Sequence, residues 1–536
     1  MMIDATNRIR ILFIKMKVRS SLGKIFRTKD RDFCRISVYV TIWKGANMKD
    51  NSTYSSPYEF KGRIPLKHAI PLGIQHVLAM FVGNLTPLII ICGACGITSD
   101  EPALYVTLLQ NAMLVAGLVT LVQLFSIGPI GGEVPIIMGT SSGFLGVMRS
   151  IAATMGGGVI AYSAILGASI IGGLFETVLG FFIKPLRKLF PPVVTGTVVL
   201  AIGLSLISVG VNSFAGGSGA NDFGSAENLL IGFCVLAVIV ILKHFTKGIT
   251  STSAILFGII FGYILCAVLG LILPHTGINA DGVEYTKAWV INWSKISQSA
   301  WISIPKILPV MPTFRLDAIL PMCIMFIVTT VETVGDTAGC IEGGMGREAT
   351  DKELAGAVTC DGVGSTFAAL FGVLPNTSFS QNVGLVAMTK VVNRFALMTG
   401  AVFLVLCGLS PKLAAVVSIM PQSVLGGAAV MMFSSIAISG IQLLTKHGIT
   451  NRIITIVSVA LGMGYGLGAT AGAVAGLGNA VNLVFGGSGI VPAALLAIVL
   501  NLLIPKEDED HASEAAMAEV AAIKERKLAE KRGTEK

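Results

Sequence analysis

Long apolar runs separated by short polar stretches recur along most of the chain. Most of these runs approach the roughly 20 residues that an α-helix needs to cross the ~30 Å hydrocarbon core of a bilayer. The pattern predicts an all-α membrane protein with fourteen transmembrane segments. The predicted segments are residues 69–91, 102–126, 134–149, 158–183, 191–209, 228–243, 251–273, 316–338, 353–372, 377–391, 393–409, 422–443, 452–466 and 489–504.

Two stretches, which we call the broken segments, differ from the other runs. "VPIIMGTSSGFLGVM" at 134–148 and "LPNTSFSQNVGLVAM" at 374–388 interrupt their apolar residues with Pro, Gly, Ser, Thr and Asn. Pro135 and Pro375 lie 240 residues apart, one in each half of the chain. Interrupted segments in corresponding positions of two halves are typical of transporters with inverted repeats, whose substrate site lies near the membrane midplane. We therefore expect the third and tenth segments to form the substrate site.

The loop charges predict an orientation. With both ends in the cytoplasm, the inner loops hold eleven Lys or Arg and the outer loops six, of which four lie in one long loop at 274–315. Cytoplasmic loops of membrane proteins carry an excess of these residues. The asymmetry favours an even number of segments with both termini cytoplasmic.

Composition supports one large membrane domain, predicted at 62–505. The chain has 536 residues, of which 53% are hydrophobic and only 13% are charged. A soluble domain carries about 25% charged residues, so several soluble domains are excluded. The residues at 506–536 hold seven Lys or Arg and nine Asp or Glu, which predicts a charged cytoplasmic tail.

The net charge of +9 comes mainly from the first tenth of the chain. Residues 1–50 contain twelve Lys or Arg and four Asp. A basic arm can bind nucleic acid, but beside membrane segments it indicates a membrane-facing cytoplasmic segment, predicted at 1–61, and no nucleic-acid partner. Met48 is a second candidate start, so we interpret residues 1–47 as an extension or a dispensable leader.

Ionisable side chains inside membrane segments are costly and indicate function. Glu332 and Asp336 lie one helical turn apart, Asp361 lies in the next segment, and His76 follows Gln75 in the first segment. A carboxylate removed from water favours its protonated form. Glu332 is therefore a candidate proton carrier and an acceptor for substrate N–H groups.

The polar cluster Ser380-Gln381-Asn382 completes the candidate site. A Gln amide offers one acceptor and two donors, which match the paired N–H and C=O edge of a purinedione. Backbone N–H groups near Ser142 and Asn382, at the broken helix ends, could bind substrate oxygens.

Each candidate also has a structural interpretation. Glu332 could join two helices through hydrogen bonds. Asp336 and Asp361 could anchor local hydrogen bonds at a helix end. His76 could be a packed histidine whose polar atoms are satisfied.

These motifs resemble the nucleobase–ascorbate transporter family, the second of the two nucleobase–cation symporter families. The family signature is Gln, Glu or Pro, then Asn-x-Gly-x-x-x-x-Thr, then Lys, Arg or Gly. The run "QNVGLVAMTK" at 381–390 matches it fully, including Gly384, Thr389 and Lys390. "QH" at 75–76, "GTS" at 139–141, "ETVGD" at 332–336 and "DG" at 361–362 follow in the family's order. The resemblance covers about 62–505.

The resemblance implies an architecture and a set of roles. The fourteen segments would form two inverted seven-segment repeats, divided into a core domain (segments 1–4 and 8–11) and a gate domain (5–7 and 12–14). Segments 3 and 10 would carry short antiparallel strands, and the protein would be a homodimer. Substrate would bind to Glu332, Gln381, Ser142 and Asn382, and the site or proton path would be supported by His76, Asp336 and Asp361.

The resemblance further implies proton-coupled symport of xanthine and/or uric acid across the cytoplasmic membrane by alternating access. Gln at the first signature position, here Gln381, is typical of xanthine and uric acid members, whereas Glu is typical of uracil members. Many purine members have Phe after "GTS", where this chain has Ser142. No cofactor is expected, and the coupling ion is a proton, with sodium as the alternative.

Three other functions are compatible with parts of the pattern. The first is a symporter for uracil or another nucleobase, which Gln381 disfavours. The second is an anion transporter of the same architecture, which usually carries a longer soluble C-terminal domain than the residues after 505 provide. The third is a membrane enzyme, which the sequence disfavours because it offers no nucleophile–base pair or metal cluster.

Overall fold

The structure is a computed structural model, and the residues that it describes are 54–186, 191–217, 220–278, 283–445, 448–470, 472–477, 485 and 489–506. Most of the predicted basic segment 1–61, including the candidate leader 1–47, lies outside the described residues. So does nearly all of the predicted tail at 506–536.

The described chain is mostly helical. In chain order the helices are α1 (Leu66–Ala94), α2 (Ile97–Asp100), α3 (Pro102–Phe125), α4 (Leu145–Thr154), α5 (Gly158–Phe181), α6 (Ile183–Leu186), α7 (Pro192–Phe214), α8 (Ala226–Phe245), α9 (Ile249–Thr252), α10 (Ala254–Ile272), α11 (Ser294–Gln298), α12 (Leu316–Met345), α13 (Asp351–Leu370), α14 (Ser380–Thr389), α15 (Arg394–Gly408), α16 (Pro411–Ser418), α17 (Gln422–Thr445), α18 (Asn451–Ala469) and α19 (Ile490–Leu503). The strands are β1 (Met138–Thr140), β2 (Thr276–Ile278), β3 (Glu284–Thr286) and β4 (Asn376–Ser378).

The lengths of these helices identify a multi-pass membrane protein. Among the described residues, eight helices are long and apolar enough to cross a bilayer, and the pair α15 and α16, bent by 84°, adds a ninth candidate. Large apolar side chains on these helices, among them Leu174, Phe233 and Ile264, are exposed, as expected for helices that face lipid. The prediction of a mostly helical protein with many membrane segments is confirmed.

The two broken segments meet in the interior of the protein. Strand β1 pairs with β4 in antiparallel fashion, with Gly139 opposite Thr377. At one end the Phe379 N–H donates to the Ile137 carbonyl (3.1 Å), and at the other the Ser141 N–H donates to the Pro375 carbonyl (2.9 Å). Non-helical backbone is tolerated at membrane depth only when protein satisfies its polar groups. Each broken segment therefore supplies part of the hydrogen-bond partners that the other one needs.

Buried polar side chains hold this strand pair between the helices. Asn84 of α1 accepts hydrogen bonds through Oδ1 from the Thr140 N–H (2.8 Å) and hydroxyl (3.1 Å). Ser365 of α13 both donates to the Asn376 carbonyl and accepts from the Asn376 N–H, each at 3.1 Å. All six residues of β1 and β4 are buried. The position of the two broken segments is thus fixed by side chains from both halves of the chain.

Helix α12 continues beyond its predicted end. The sequence predicts a membrane segment at 316–338, whereas the helix runs from Leu316 to Met345. A Cβ on Gly344 would lie 2.6 Å from Cγ1 of Val386, so the glycine allows α14 to pack against the helix at that point. Gly346 ends the helix at φ 70°, with its N–H bonded to the Glu342 carbonyl. The extra turns form the surface on which α14 lies.

Helices α7 and α17 pack with their backbones in close contact. A Cβ added to Gly203 would collide with the backbone of Ala437, and one added to Gly440 would collide with the backbone of Leu200. Small residues at such positions let membrane helices approach closely, and the approach strengthens van der Waals packing. The contact therefore requires glycine at both positions.

The substitution Gly203→Ala is expected to destabilise the protein by about 1–3 kcal/mol, because the added methyl group overpacks the contact. Gly462→Ala is the matched control, since Gly462 also lies in a helix, on α18, but has no atom near the added Cβ. Thermal unfolding of both variants in detergent tests the expectation. Equal unfolding temperatures for the two variants would contradict it.

Candidate substrate-binding site

Two carboxylates, Glu332 and Asp336, project from α12 toward the start of α14. We call them the carboxylate pair; each residue is only 7% exposed. The hydroxyl of Ser380 lies 3.0 Å from Glu332 Oε1 and 2.8 Å from Asp336 Oδ2. A serine hydroxyl carries one hydrogen and can donate to one of them at a time. A proton on either carboxyl group would complete this network, so the geometry suits a site that gains and loses a proton.

Asp361 lies deeper and ties β4 to α12. Its Oδ2 accepts a short hydrogen bond from the Thr333 hydroxyl and a longer one from the Ser378 N–H (3.3 Å). The Ser378 hydroxyl lies 3.1 Å from both Thr333 Oγ1 and Asp336 Oδ2. Asp361 thereby links strand and helix, and through Ser378 it is connected to the carboxylate pair.

His76 of α1 orients the side chain of Asn382. Its Nδ1 lies 2.8 Å from Asn382 Oδ1, and both side chains are buried. Among the described residues, His76 Nε2 and Asn382 Nδ2 have no hydrogen-bond partner. The Asn382 backbone N–H donates to the Phe379 carbonyl at 2.9 Å. Asn382 can therefore offer a ligand its side-chain amide, whereas its backbone N–H is already engaged.

The second oxygen of Glu332 points toward the other broken segment. Glu332 Oε2 has no partner among the described residues, and a Cβ on Gly143 would lie 3.6 Å from it. Gly143 follows Ser142 in the turn between β1 and α4. Ser142 and Gln381 are partly buried, and in the described part of the chain their side chains form no hydrogen bond. The structure thus brings Glu332 and Asp336 together at the start of α14, with Gly143 of the Ser142 turn beside Glu332. Asn382 lies on the same helix, where its side chain contacts His76.

The rest of the signature motif shapes α14. No atom lies near a Cβ added to Gly384, and the Thr389 hydroxyl donates to the Leu385 carbonyl at 2.8 Å. Lys390 ends the helix at φ 58°, and its Nζ hydrogen-bonds to the Gly343 carbonyl of α12. These residues hold the far end of α14 against α12.

One buried acid was missed by the sequence analysis. Glu176 of α5 is fully buried, and its Oε1 accepts from the hydroxyls of Thr329 (3.0 Å) and Thr330 (3.3 Å). It lies within the predicted segment 158–183, so the rule that selected Glu332 would have found it. Asn84 was also missed, and its only signal is an amide inside an apolar run.

The sequence is similar to those of known permeases. Residues 67–471 match the Xan_ur_permease model, described as a permease family. The uric acid permease PucK of Bacillus subtilis is 33% identical over 436 residues, which cover 80% of this chain and 94% of that protein. The xanthine permease of the same organism is 32% identical over 435 residues, covering 81% of this chain and 93% of its own.

Among solved structures, the murine anion transporter solute carrier 26 member A9, in its inward-facing state, has a similar fold. The TM-score is 0.50 at 11% identity, and the match covers 87% of this chain and 74% of the transporter. This likeness concerns the fold alone. The family match extends over most of the chain and includes the signature at Gln381 to Lys390. The chain therefore belongs to the permease family, the nucleobase–ascorbate transporters that its motifs resemble, and it is a transporter rather than an enzyme.

Proposed function

We propose that the chain is a proton-coupled symporter of an oxidised purine, xanthine and/or uric acid, in the cell membrane. The observation that carries the proposal is the buried carboxyl group of Glu332, whose Oε2 is without a described partner and faces the turn of the opposite broken segment. The names of the two Bacillus subtilis permeases support the substrate class.

Substrate recognition would use both broken segments. A purinedione presents N–H and C=O groups side by side on its ring edges. Glu332 Oε2 would accept from a ring N–H, and the Gln381 amide would pair with an adjacent N–H and C=O. Asn382 Nδ2 would donate to a carbonyl oxygen, because His76 already holds the Oδ1 end of that amide. The turn at Ser142 would contribute backbone contacts from the other side.

Proton coupling would depend on the carboxylate pair. Two acids that share the Ser380 hydroxyl repel each other when both are ionised. A proton bound to either carboxyl group removes that repulsion. The protonated carboxyl group can then offer the substrate its O–H as a donor or its carbonyl oxygen as a neutral acceptor. A site that carries less charge moves through the membrane interior at a lower free-energy cost. The protein with proton and substrate bound would therefore convert more readily between its outward-facing and inward-facing states. Asp336 and Asp361 would support this step through Ser378, and no cofactor takes part.

The proposed architecture is fourteen segments in two inverted repeats, with a core and a gate domain, cytoplasmic termini and a homodimeric assembly. What supports the repeats is the equivalence of the broken segments. Each contains a three-residue strand followed by a ten-residue helix, β1 with α4 and β4 with α14. The loop charges support the orientation.

Cells that express the chain are expected to accumulate radiolabelled xanthine or uric acid, and a protonophore should abolish the accumulation because it removes the proton gradient. Hypoxanthine and uracil, assayed alongside, define the selectivity. Failure to take up any of the four compounds would refute the proposed function. Uptake that ignores the protonophore and requires sodium would refute proton coupling alone.

Glu332→Gln is expected to lower xanthine uptake by at least about a hundredfold, because the amide can neither carry the proton nor accept a second substrate N–H. Glu348→Gln is the control, since this exposed residue lies just beyond the end of α12. Initial uptake rates at equal membrane expression provide the measurement. Wild-type kinetics for Glu332→Gln would remove this residue from the site.

Gln381→Glu is expected to abolish or redirect xanthine uptake, because a carboxylate loses the amide donors that would pair with a purine carbonyl. Competition of unlabelled xanthine and uracil against each labelled compound measures the change in preference. Gln298→Glu, at an exposed position in α11, controls for the added charge. An unchanged order of preference would count against the assignment of Gln381.

A further inference from the structure

Two cavities flank α4, and both include Arg149 and Val209 in their walls. The first has a volume of about 410 Å³ and lies between residues of α1, α4, α7 and the start of α17. The second, of about 530 Å³, lies between residues of α4, α7, α18 and the start of α19. Both therefore lie between the predicted core segments and the predicted gate segments, where a substrate would pass.

Arg149 has no ionic partner in the part of the chain that the structure describes. It is partly buried, forms no hydrogen bond or ion pair with a described residue, and is the only Asp, Glu, Lys or Arg among the described residues that line either cavity. Leaving a guanidinium partly desolvated without a partner is costly, and such charges in membrane proteins face water-filled cavities and mark substrate pathways.

The position of Arg149 relates the cavities to the candidate site. It lies four residues after Leu145, the first residue of α4, which corresponds to about one turn or ~6 Å along the helix. Gly143, beside Glu332 Oε2, precedes α4, and Gly146 in the first turn of α4 lines the second cavity. One short helix thus connects the Glu332 site with the cationic group in the cavities.

The chemistry of purinediones fits such a cation. Uric acid is a monoanion at neutral pH, and xanthine becomes one in mildly alkaline solution. Their charge is spread over neighbouring ring nitrogens and carbonyl oxygens in one plane. A guanidinium group is a planar, permanently charged fork of donors that binds such an edge with two hydrogen bonds. Ser205 and Ser213 also line these cavities, and their hydroxyl groups offer further donors.

We propose that Arg149 forms an entry subsite that binds the anionic form of a purinedione before it reaches Glu332. The inference rests on the proposed function and adds the charge state of the substrate that is captured. A single positive charge in a low-dielectric cleft attracts anions and raises their local concentration. Arg149 therefore favours anionic over neutral substrates without taking part in the proton step.

The test compares Arg149→Gln with the wild-type chain, using uptake of radiolabelled uric acid at neutral pH and of xanthine at mildly acidic pH, where xanthine is neutral. Arg149→Gln should raise the KM for uric acid on the order of tenfold, because the cleft loses its attractive charge. The KM for neutral xanthine and both maximal rates should stay close to wild type. Arg149→Lys should recover part of the uric acid affinity.

Lys306→Gln is the matched control. Lys306 is exposed, lies in the predicted outer loop 274–315 and lines neither cavity, so its loss changes the net charge equally. If the wild type takes up xanthine but not uric acid, the KM for xanthine is measured below and above the pH at which xanthine ionises. These two values compare the neutral with the anionic form of one substrate.

An unchanged KM for the anion in Arg149→Gln would overturn the subsite, as would an equal loss of anionic and neutral uptake in correctly folded protein. Uptake of neutral xanthine and thermal stability in detergent report on folding. Absence of any purine uptake by the wild type would instead refute the proposed function, and the subsite would fail with it.

Discussion

The pairing of β1 with β4 is the interaction on which the rest of the site depends. Six residues of extended backbone lie buried among helices, where an unpaired N–H or C=O group would cost several kcal/mol. The two strands satisfy each other, and Asn84 and Ser365 supply bonds that the strands alone leave unmade. Because the strands end where α4 and α14 begin, this arrangement also brings two helix N-termini into the protein interior, where their partial positive charge faces the carboxylate pair.

The acidic residues are built into the same framework. Asp361 accepts from the backbone of β4, and Asp336 accepts from the side chains of Ser378 and Ser380, which lie at the end of that strand and the start of α14. A change in the protonation of Asp336 therefore alters hydrogen bonds to the residues that shape the site. This is a short physical connection between proton binding and the geometry of the substrate contacts, with Glu332 at the end that faces the Ser142 turn.

Much of this arrangement could be predicted from the sequence, and the reasons are physical. The third and tenth segments contain Pro, Gly and hydroxyl residues that cannot form a continuous membrane helix, so they were recognisable as irregular. Glu332 and Asp336 were recognisable because charged groups are rare in apolar runs.

The pairing of Thr140 with Asn84 was not predictable, because an amide in a helix gives no sign of which distant backbone it will meet. Helix α12 runs on to Met345, beyond the predicted segment 316–338, because packing against α14 stabilises its glycine-rich end. Arg149, at the end of the predicted segment 134–149, could not be recognised from the sequence, since its cavities form only between segments that are far apart along the chain.

The strand pair also has a consequence for the order in which the protein can be completed during synthesis. Met138 pairs with Ser378, so 240 residues must follow the first strand before its partner emerges. At about 5–20 residues per second, that delay is on the order of tens of seconds. During this interval the first half of the chain holds unpaired backbone groups that lipid cannot satisfy. Closing so long a loop also adds an entropic cost that local helix formation does not have. The insertion machinery or a water-filled space must shelter residues 138–140 during this interval, so the substrate site cannot form before β4 has been synthesised.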